Sequence, residues 1–471
     1  MIPPLSRPRD GRPAAPVRIL HLGLGGFFRA HQAWYTERAP DTAHWGIAAF
    51  TGRSTRTAHL LNAQDGMYTL VTRGPDGDRC ERIGSVSAAH PGGDHTAWLR
   101  YWRDPRLAVV TLTVTEAGYT RTPDGGLDTG LPDVRADIAT LRAAPDAPVG
   151  TAAARLLAGL FARRRAGGGP VAIVPCDNLP GNGRTVARTV RELAEATGPS
   201  WARAAAHASY VDTVADRITP WPADETAAVV AAATGRTDAA PVVAEPFTEW
   251  VLCGDFPAGR PHWEDAGARF VPDITPYERR KLRLLNGGHS LLAYAGSLRG
   301  HTTVAEAMTD PLCGRWLTEW WDEASAGLDA DPGLAAYRTA LLERFANPRI
   351  AHALAKIAEN GADKLRDRVV PTLRTACRSG ATPVAAVRVI AAWLLYLHGD
   401  TRSTSGSLRD AACGVLHRLD PALALDADLV DAVALQAGEL PSPGRGVGGR
   451  GFDARRLGAS PDRTGISQAG R

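Results

Sequence analysis

Residues 17–37 constrain the fold of this chain more than any other stretch. Val17-Arg18-Ile19-Leu20-His21-Leu22 reads as a short buried strand, which runs into Gly23-Leu24-Gly25-Gly26-Phe27-Phe28-Arg29 and then a helical stretch ending near Glu37. Strand, glycine turn and helix, in that order, open a dinucleotide-binding βαβ unit. Gly23 permits a tight turn and Gly25 lets a pyrophosphate approach the backbone, while the helix beginning at Gly26 and Phe27 offers free N–H groups to the anion. Arg29 is a candidate further phosphate contact; the plainer reading is a solvated first-turn arginine. Phe28 stands where the usual pattern has its third glycine. Residues 45–51 supply a second strand. An acid after that strand ordinarily holds the ribose hydroxyls, but Thr51-Gly52-Arg53-Ser54-Thr55-Arg56 contains none. Arg53 and Arg56 suit a 2′-phosphate, or face solvent in an arginine-rich chain. The expected cofactor is NAD or NADP.

Residues 107–115 and 171–175 read as further parallel strands. The second of these runs into Cys176-Asp177-Asn178-Leu179-Pro180-Gly181-Asn182-Gly183, and a similar polar turn follows at Asp216-Arg217-Ile218-Thr219-Pro220. Asp and Asn in such turns more often cap helices than do chemistry. Helical patterns cover 133–144, 151–165 and 184–197. From Tyr277 onward they dominate, at 277–298, 303–308, 333–346, 349–359, 384–398, 408–419 and 428–437. The expected fold is an α/β Rossmann-type N-terminal domain over 17–275, then a mostly α-helical C-terminal domain over 276–440. Residues 441–471, rich in Gly, Pro, Ser and Arg, are expected to be a disordered tail.

Composition narrows the partners. The tail's six arginines and two aspartates account for the whole net charge of +4, so the body is formally neutral and has no basic stripe for nucleic acid. The most apolar run, 384–398, is interrupted by Arg388 and is too short to span a bilayer, so no membrane partner is expected. The six cysteines form no CxxC or CxxH pair, which argues against a disulfide framework or structural zinc. A reducing, cytoplasmic setting is expected, with the chain a monomer or weak homo-oligomer.

Glu278-Arg279-Arg280-Lys281-Leu282-Arg283-Leu284-Leu285-Asn286-Gly287-Gly288-His289 concentrates chemistry. At about 100° of rotation per residue, Glu278, Lys281, Asn286 and His289 fall within an arc of roughly 140°. Lysine occurs only at 281, 356 and 364, although lysine and arginine together number 54. Arginine keeps its proton at working pH, whereas a desolvated lysine releases it. Lys281 is therefore a candidate general base, set against the plainer reading of a surface lysine on an amphipathic helix.

These residues resemble those of the polyol-specific long-chain dehydrogenases, a family that includes mannitol 2-dehydrogenase and fructuronate reductase. The resemblance is carried by residues 21–32, Gln64-Asp65-Gly66-Met67-Tyr68-Thr69-Leu70, Thr113-Val114-Thr115-Glu116-Ala117-Gly118-Tyr119, the 176–183 and 216–220 turns, Glu245-Pro246-Phe247, Gly259-Arg260-Pro261 and the 278–289 stretch. It implies an NAD(P)-dependent, metal-independent oxidoreductase interconverting a secondary alcohol and a ketone of a sugar acid or polyol. It implies Lys281 as base, Asn178 and Asn286 as oxyanion donors and His289 as a positioning group. Glu278 is implied in proton exit, with Glu116 a second candidate. Asp216, Lys356 and Lys364 are implied as substrate contacts. Ala117 and Gly288 depart from the lysine and serine common in the family. Position 356, arginine in mannitol dehydrogenases and glutamine in uronate reductases, is lysine here. Its surroundings lean toward the uronate branch, so D-mannonate/D-fructuronate is the leading pair and D-mannitol/D-fructose the alternative. A non-catalytic nucleotide sensor is the competing class; it would be expected to lack the base or an oxyanion asparagine.

Overall fold

The structure, a computed structural model, describes residues 2–52, 54–122, 124–328, 333–398 and 405–440. The chain is α/β first and helical afterwards. Six parallel strands form the main sheet: β1 (Val17–Leu22), β2 (Gly46–Phe50), β3 (Val86–His90), β4 (Val109–Leu112), β5 (Val171–Pro175) and β6 (Ala208–Tyr210), in spatial order β3-β2-β1-β4-β5-β6. The order reverses between β1 and β4, the switch point at which Rossmann-type sheets bind nucleotides. In register, His90, Phe50, Leu22, Leu112 and Pro175 form one carboxyl edge. Ligands of such sheets bind beyond this edge.

Period-two alternation builds the two faces. Leu20, Leu22, Phe50, Val110, Leu112 and Ile173 pack with Trp98, Trp102, Leu157 and Leu193 on one side. Ile19, Ile47, Ala49, Val109 and Val174 pack with Phe28, Tyr35, Trp250 and Trp263 on the other. His21 lies fully buried on β1, its ring nitrogens 2.8 Å and 3.1 Å from Thr111 Oγ1 and Thr113 Oγ1. Phe28 stacks on that imidazole, ring centroids 3.6 Å apart and nearly parallel. The missing third glycine is thereby explained: an aromatic ring fits here because a flat ring lies beneath it. The expected helix to Glu37 breaks at His31, between Gly26–Ala30 and Gln32–Arg38. His31 leaves helical geometry, and its Nε2 lies 3.0 Å from Glu249 O.

A smaller sheet carries β7 (Asp212–Asp216), paired antiparallel with β8 (Glu249–Cys253), so that Asp216 stands opposite Glu249. The later part of the chain is helical. Its Val384–His398 helix is buried on nearly all sides and capped by Glu323, which accepts from the N–H groups of Ala385 and Ala386. No helix among the described residues is long and apolar enough to cross a membrane. The helix expected at 349–359 is only Leu354–Ala358, because the backbone at 352–354 pairs with 302–304 instead. A helix at Pro311–Ser325, absent from the sequence expectation, follows an Asp310 cap.

Two compact units result: Met1–Lys281 with Leu342–Ala351, and Leu282–Leu341 with the chain from His352. The first unit runs through Lys281 and takes in the segment Leu342–Ala351. Hydrogen bonds hold both parts to it. Glu278 and Arg280 bind the first unit's Gly181 and Glu249, and Asn347 Nδ2 donates to Arg73 O at 2.9 Å.

Two stability predictions follow from the His21 region. Phe28→Ala should lower stability by about 3–5 kcal/mol, read from urea unfolding. Burial also pushes His21 and His31 down to about 3 from 6.5. The unfolded chain takes up those protons as pH falls below about 6.5 while the native state resists, so the stability they confer is complete above that pH and is lost on acidification toward 3. The thermal midpoint should fall between about pH 7 and about pH 5, and His21 should still be neutral by NMR at the lower pH. A protonated His21 there would contradict its burial.

Candidate active site

The carboxyl edge at the switch point begins with Gly23. Its φ is +115°, and a Cβ there would lie 2.5 Å from Thr113 O on the chain leaving β4. Only glycine fits. Gly25 is exposed, and a Cβ there would meet nothing nearer than Gly23 O at 3.6 Å, so the turn is open where a pyrophosphate would lie. Gly26 and Phe27 start the helix, whose first N–H groups have no intrahelical acceptor. The turn thus fits a nucleotide. Arg29 does not serve it as expected: it is buried, Nε donates to Gly25 O at 3.2 Å and Nη1 to Ala240 O. Its guanidinium braces the turn from inside. Arg56 is exposed at the start of the helix after β2, while Arg53 lies outside the described residues.

The loop after β5 separates structural from chemical asparagines. Asn182 is buried and exchanges hydrogen bonds with the backbone of Thr213, fixing the loop to β7. Asp177 accepts from the Tyr119 hydroxyl and from Leu179 N–H. Asn178 is exposed, and its Oδ1 accepts from Lys281 Nζ at 2.6 Å. A lysine has donors only, so the amide oxygen must face it, and neither Asn178 N–H has an acceptor among the described residues. Lys281 Nζ also donates to Ala215 O on β7 at 2.6 Å, and the residue is buried. Glu278 accepts the N–H of Gly181 at 2.7 Å; burial is the main cause raising its carboxyl pKa.

The helix carrying Lys281 is not the regular one expected. Thr275–Arg280 is α-helical, Lys281–Asn286 is π-helical, Gly287–Leu291 returns to α, and Leu292–Gly296 is π-helical again. A uniform 100° rotation does not hold. In an i→i+5 turn residues five apart follow one another along the helix, which is the offset from Lys281 to Asn286. Trp320 and Trp321 donate their indole N–H groups to the carbonyls of Arg283 and Leu284 within this turn, at 2.9 and 3.0 Å. Gly287 is required beneath Trp320, since a Cβ would lie 2.5 Å from the indole. Asn286 Nδ2 is buried with no hydrogen-bond partner among the described residues. His289 is buried, edge-on to His352 with centroids 4.8 Å apart.

The structure gives several of these residues partners within the protein. Arg280, the residue before Lys281, is buried and doubly bonded to Glu249 at 2.7 and 2.8 Å, so its field is offset. Both oxygens of Asp216 accept from Arg344, at 2.7 and 3.0 Å. Lys356 is exposed and paired with Glu359 at 2.8 Å, while Lys364 donates to Ile357 O at 3.1 Å. Arg344 and Glu245 were assigned no role from sequence, although Glu245-Pro246-Phe247 was legible as a motif. In the helical unit, ligand atoms of His301, Asp310 and Cys313 lie within 4.8 Å of one another. Asp310 there accepts from Arg299 and Leu312 N–H, a charge-paired helix cap.

The chain is similar to known proteins over most of its length. Residues 17–265 match the mannitol dehydrogenase Rossmann domain and residues 273–438 the mannitol dehydrogenase C-terminal domain. D-arabinitol 4-dehydrogenase of Ralstonia nicotianae is 38% identical over 84% of this chain and 86% of its own. D-mannonate oxidoreductase of Escherichia coli is 34% identical over 84% and 83%. The solved ternary complex of Pseudomonas fluorescens mannitol 2-dehydrogenase with NAD and D-mannitol superposes with a TM-score of 0.81 at 32% identity, covering 90% of this chain and 92% of that one. The chain is an oxidoreductase of the mannitol dehydrogenase family.

Proposed function

We propose that this chain interconverts a secondary alcohol and a ketone on an open-chain polyol, with a nicotinamide cofactor of the NAD type and Lys281 as general base. The observation that carries this reading is the buried Lys281 amine, held by Asn178 Oδ1 and Ala215 O beside the carboxyl edge of the sheet. The 23–27 turn would hold NAD, which would supply the acceptor for the hydride leaving the alcohol carbon. Lys281 in its neutral form takes the hydroxyl proton, and its charged form returns it in reduction. Asn178 donates an N–H to the oxygen as charge develops there. Asn286, with a buried and unpartnered amide donor, is the second donor. Such preorganised donors supply about 3–4 kcal/mol each. His289 orients the substrate, and Glu278, its carboxyl pKa raised by burial, relays the proton toward solvent. The base and both amides are present, which supports an enzyme over a non-catalytic nucleotide sensor.

The polyol leads because D-arabinitol 4-dehydrogenase is the more similar of the two named relatives, and because the cation favouring a sugar acid, Lys356, is already paired with Glu359. A sugar acid is the second reading, favoured by Lys364 lying on the next helix and by the E. coli relative. Lys356, Lys364 and Asp216 are proposed contacts for the far end of the substrate. NADP is the second cofactor reading, through Arg53 and Arg56.

Purified protein should oxidise D-arabinitol or D-mannitol with NAD, followed by NADH absorbance, more efficiently than D-mannonate. A preference for D-mannonate would move the assignment to the sugar-acid branch. Lys281→Ala should lower kcat about 10²–10⁴-fold, and Asn178→Ala or Asn286→Ala about 10²–10³-fold with smaller changes in KM. Unchanged kcat in Lys281→Ala would remove the base assignment.

A further inference from the structure

The end of β7 carries three consecutive residues that face different partners. Ala215 O receives the Lys281 amine at 2.6 Å. Asp216, 1% exposed, receives Nη1 and Nη2 of Arg344 at 3.0 and 2.7 Å. Arg217 donates Nε to Glu245 O at 3.1 Å. Arg344 also reaches the Glu245 carboxylate, through Nε at 2.9 Å and Nη2 at 2.7 Å, and its guanidinium lies 4.0 Å from the Phe247 ring centre. Glu245 Oε1 in turn accepts the N–H of Ile218 at 2.6 Å. One guanidinium therefore holds both the side chain that ends β7 and the residue that clamps the backbone just beyond it.

Charge adds a second argument. Asp216 faces Glu249 directly across the β7–β8 pair, and like charges so placed repel. Each has its own arginine: Arg280, the residue before Lys281, binds Glu249, and Arg344 binds Asp216. The charged and titratable groups around this point include His31, Tyr35, Arg217, Glu245, Glu249, Arg269, Arg280 and Lys281.

We infer that Arg344 is a positioning residue for the reaction: by fixing Asp216 and Glu245 it sets the Ala215 carbonyl that aims the Lys281 amine, and its charge balances the field there. The inference rests on Lys281 being the base. It gives Asp216 a role through Arg344 besides the proposed contact with the substrate.

The test is steady-state kinetics of the full chain in the oxidation direction, with NAD and whichever polyol it accepts, across the lysine titration range. Losing a cation near Lys281 favours its charged form and raises its pKa, whereas losing an anion favours its neutral form and lowers it. Arg344→Gln leaves the carboxylates uncompensated, so it holds the proton on Lys281 and should move the kcat limb to higher pH. Asp216→Asn removes an anion and should move it to lower pH. Arg344→Lys keeps the charge but loses the two-pronged geometry; it should leave the midpoint in place and lower kcat about 10- to 100-fold, with KM within about a factor of three. If Arg344→Gln does not fold, the other two variants decide. A limb that moves in neither charge variant overturns the inference. So does an Asp216→Asn enzyme whose KM for polyol rises while kcat and its pH limb stay unchanged, since Asp216 would then act on substrate binding alone. Lys281→Ala run in parallel separates the two levels: if it retains the limb, the base assignment itself has failed.

Discussion

The structure around the candidate site depends on one amine held by two oxygens. Lys281 Nζ donates to Asn178 Oδ1 on the loop after β5 and to Ala215 O on β7, both at 2.6 Å. Those two hydrogen bonds join the carboxyl edge of the main sheet, the end of a second sheet and the start of a helix. A buried amine needs acceptors, because leaving one unsatisfied costs about 1–3 kcal/mol or more for a charged group. Supplying them fixes which way the amide of Asn178 faces. The amide oxygen goes to the lysine, and the two N–H groups are left for something else. The same constraint explains the division of labour in the 176–183 loop, where Asn182 and Asp177 hold the backbone and Asn178 is turned to the lysine.

Around that amine the first unit buries charges in compensated sets. Arg280 binds Glu249, and Arg344 binds both Asp216 and Glu245. Buried ion pairs seldom add net stability, because desolvating each charge offsets the attraction, yet losing one partner leaves a buried charge uncompensated. Their effect is geometric: each guanidinium fork accepts only one arrangement of its carboxylates. The π turn at Lys281–Asn286 belongs to the same logic. Such a turn breaks the regular helical ladder and is found disproportionately at functional sites. Here two tryptophan indoles satisfy carbonyls inside it.

Much of this was legible in the sequence. The strand–glycine–helix opening, the strand at Val171–Pro175 and the change to helices all follow from apolar periodicity and glycine placement, which are local properties. The rarity of lysine marked Lys281 before any partner was visible. What stayed hidden depends on contacts distant in sequence. Arg29 looked like a phosphate ligand because its acceptor Ala240 O lies far along the chain. Arg344 looked like any arginine on a helix, since Asp216 and Glu245 are about a hundred residues away. The π turn was hidden because its indole donors come from another helix. The Pro311–Ser325 helix is different. Asp310 followed by Pro311, then Cys313, Trp316, Leu317, Trp320 and Trp321 at helical spacing, was a readable signal.

The central claim is that a neutral amine at one point in this structure takes the substrate proton. Chemical rescue tests it most directly. Lys281→Ala removes the amine while leaving Asn178 Oδ1 and Ala215 O in place to hold a small replacement. Turnover should return on adding methylamine, saturably and in proportion to the neutral amine present rather than the total. Failure of any primary amine to restore turnover in a folded, NAD-binding Lys281→Ala protein, or full turnover without one, would contradict it.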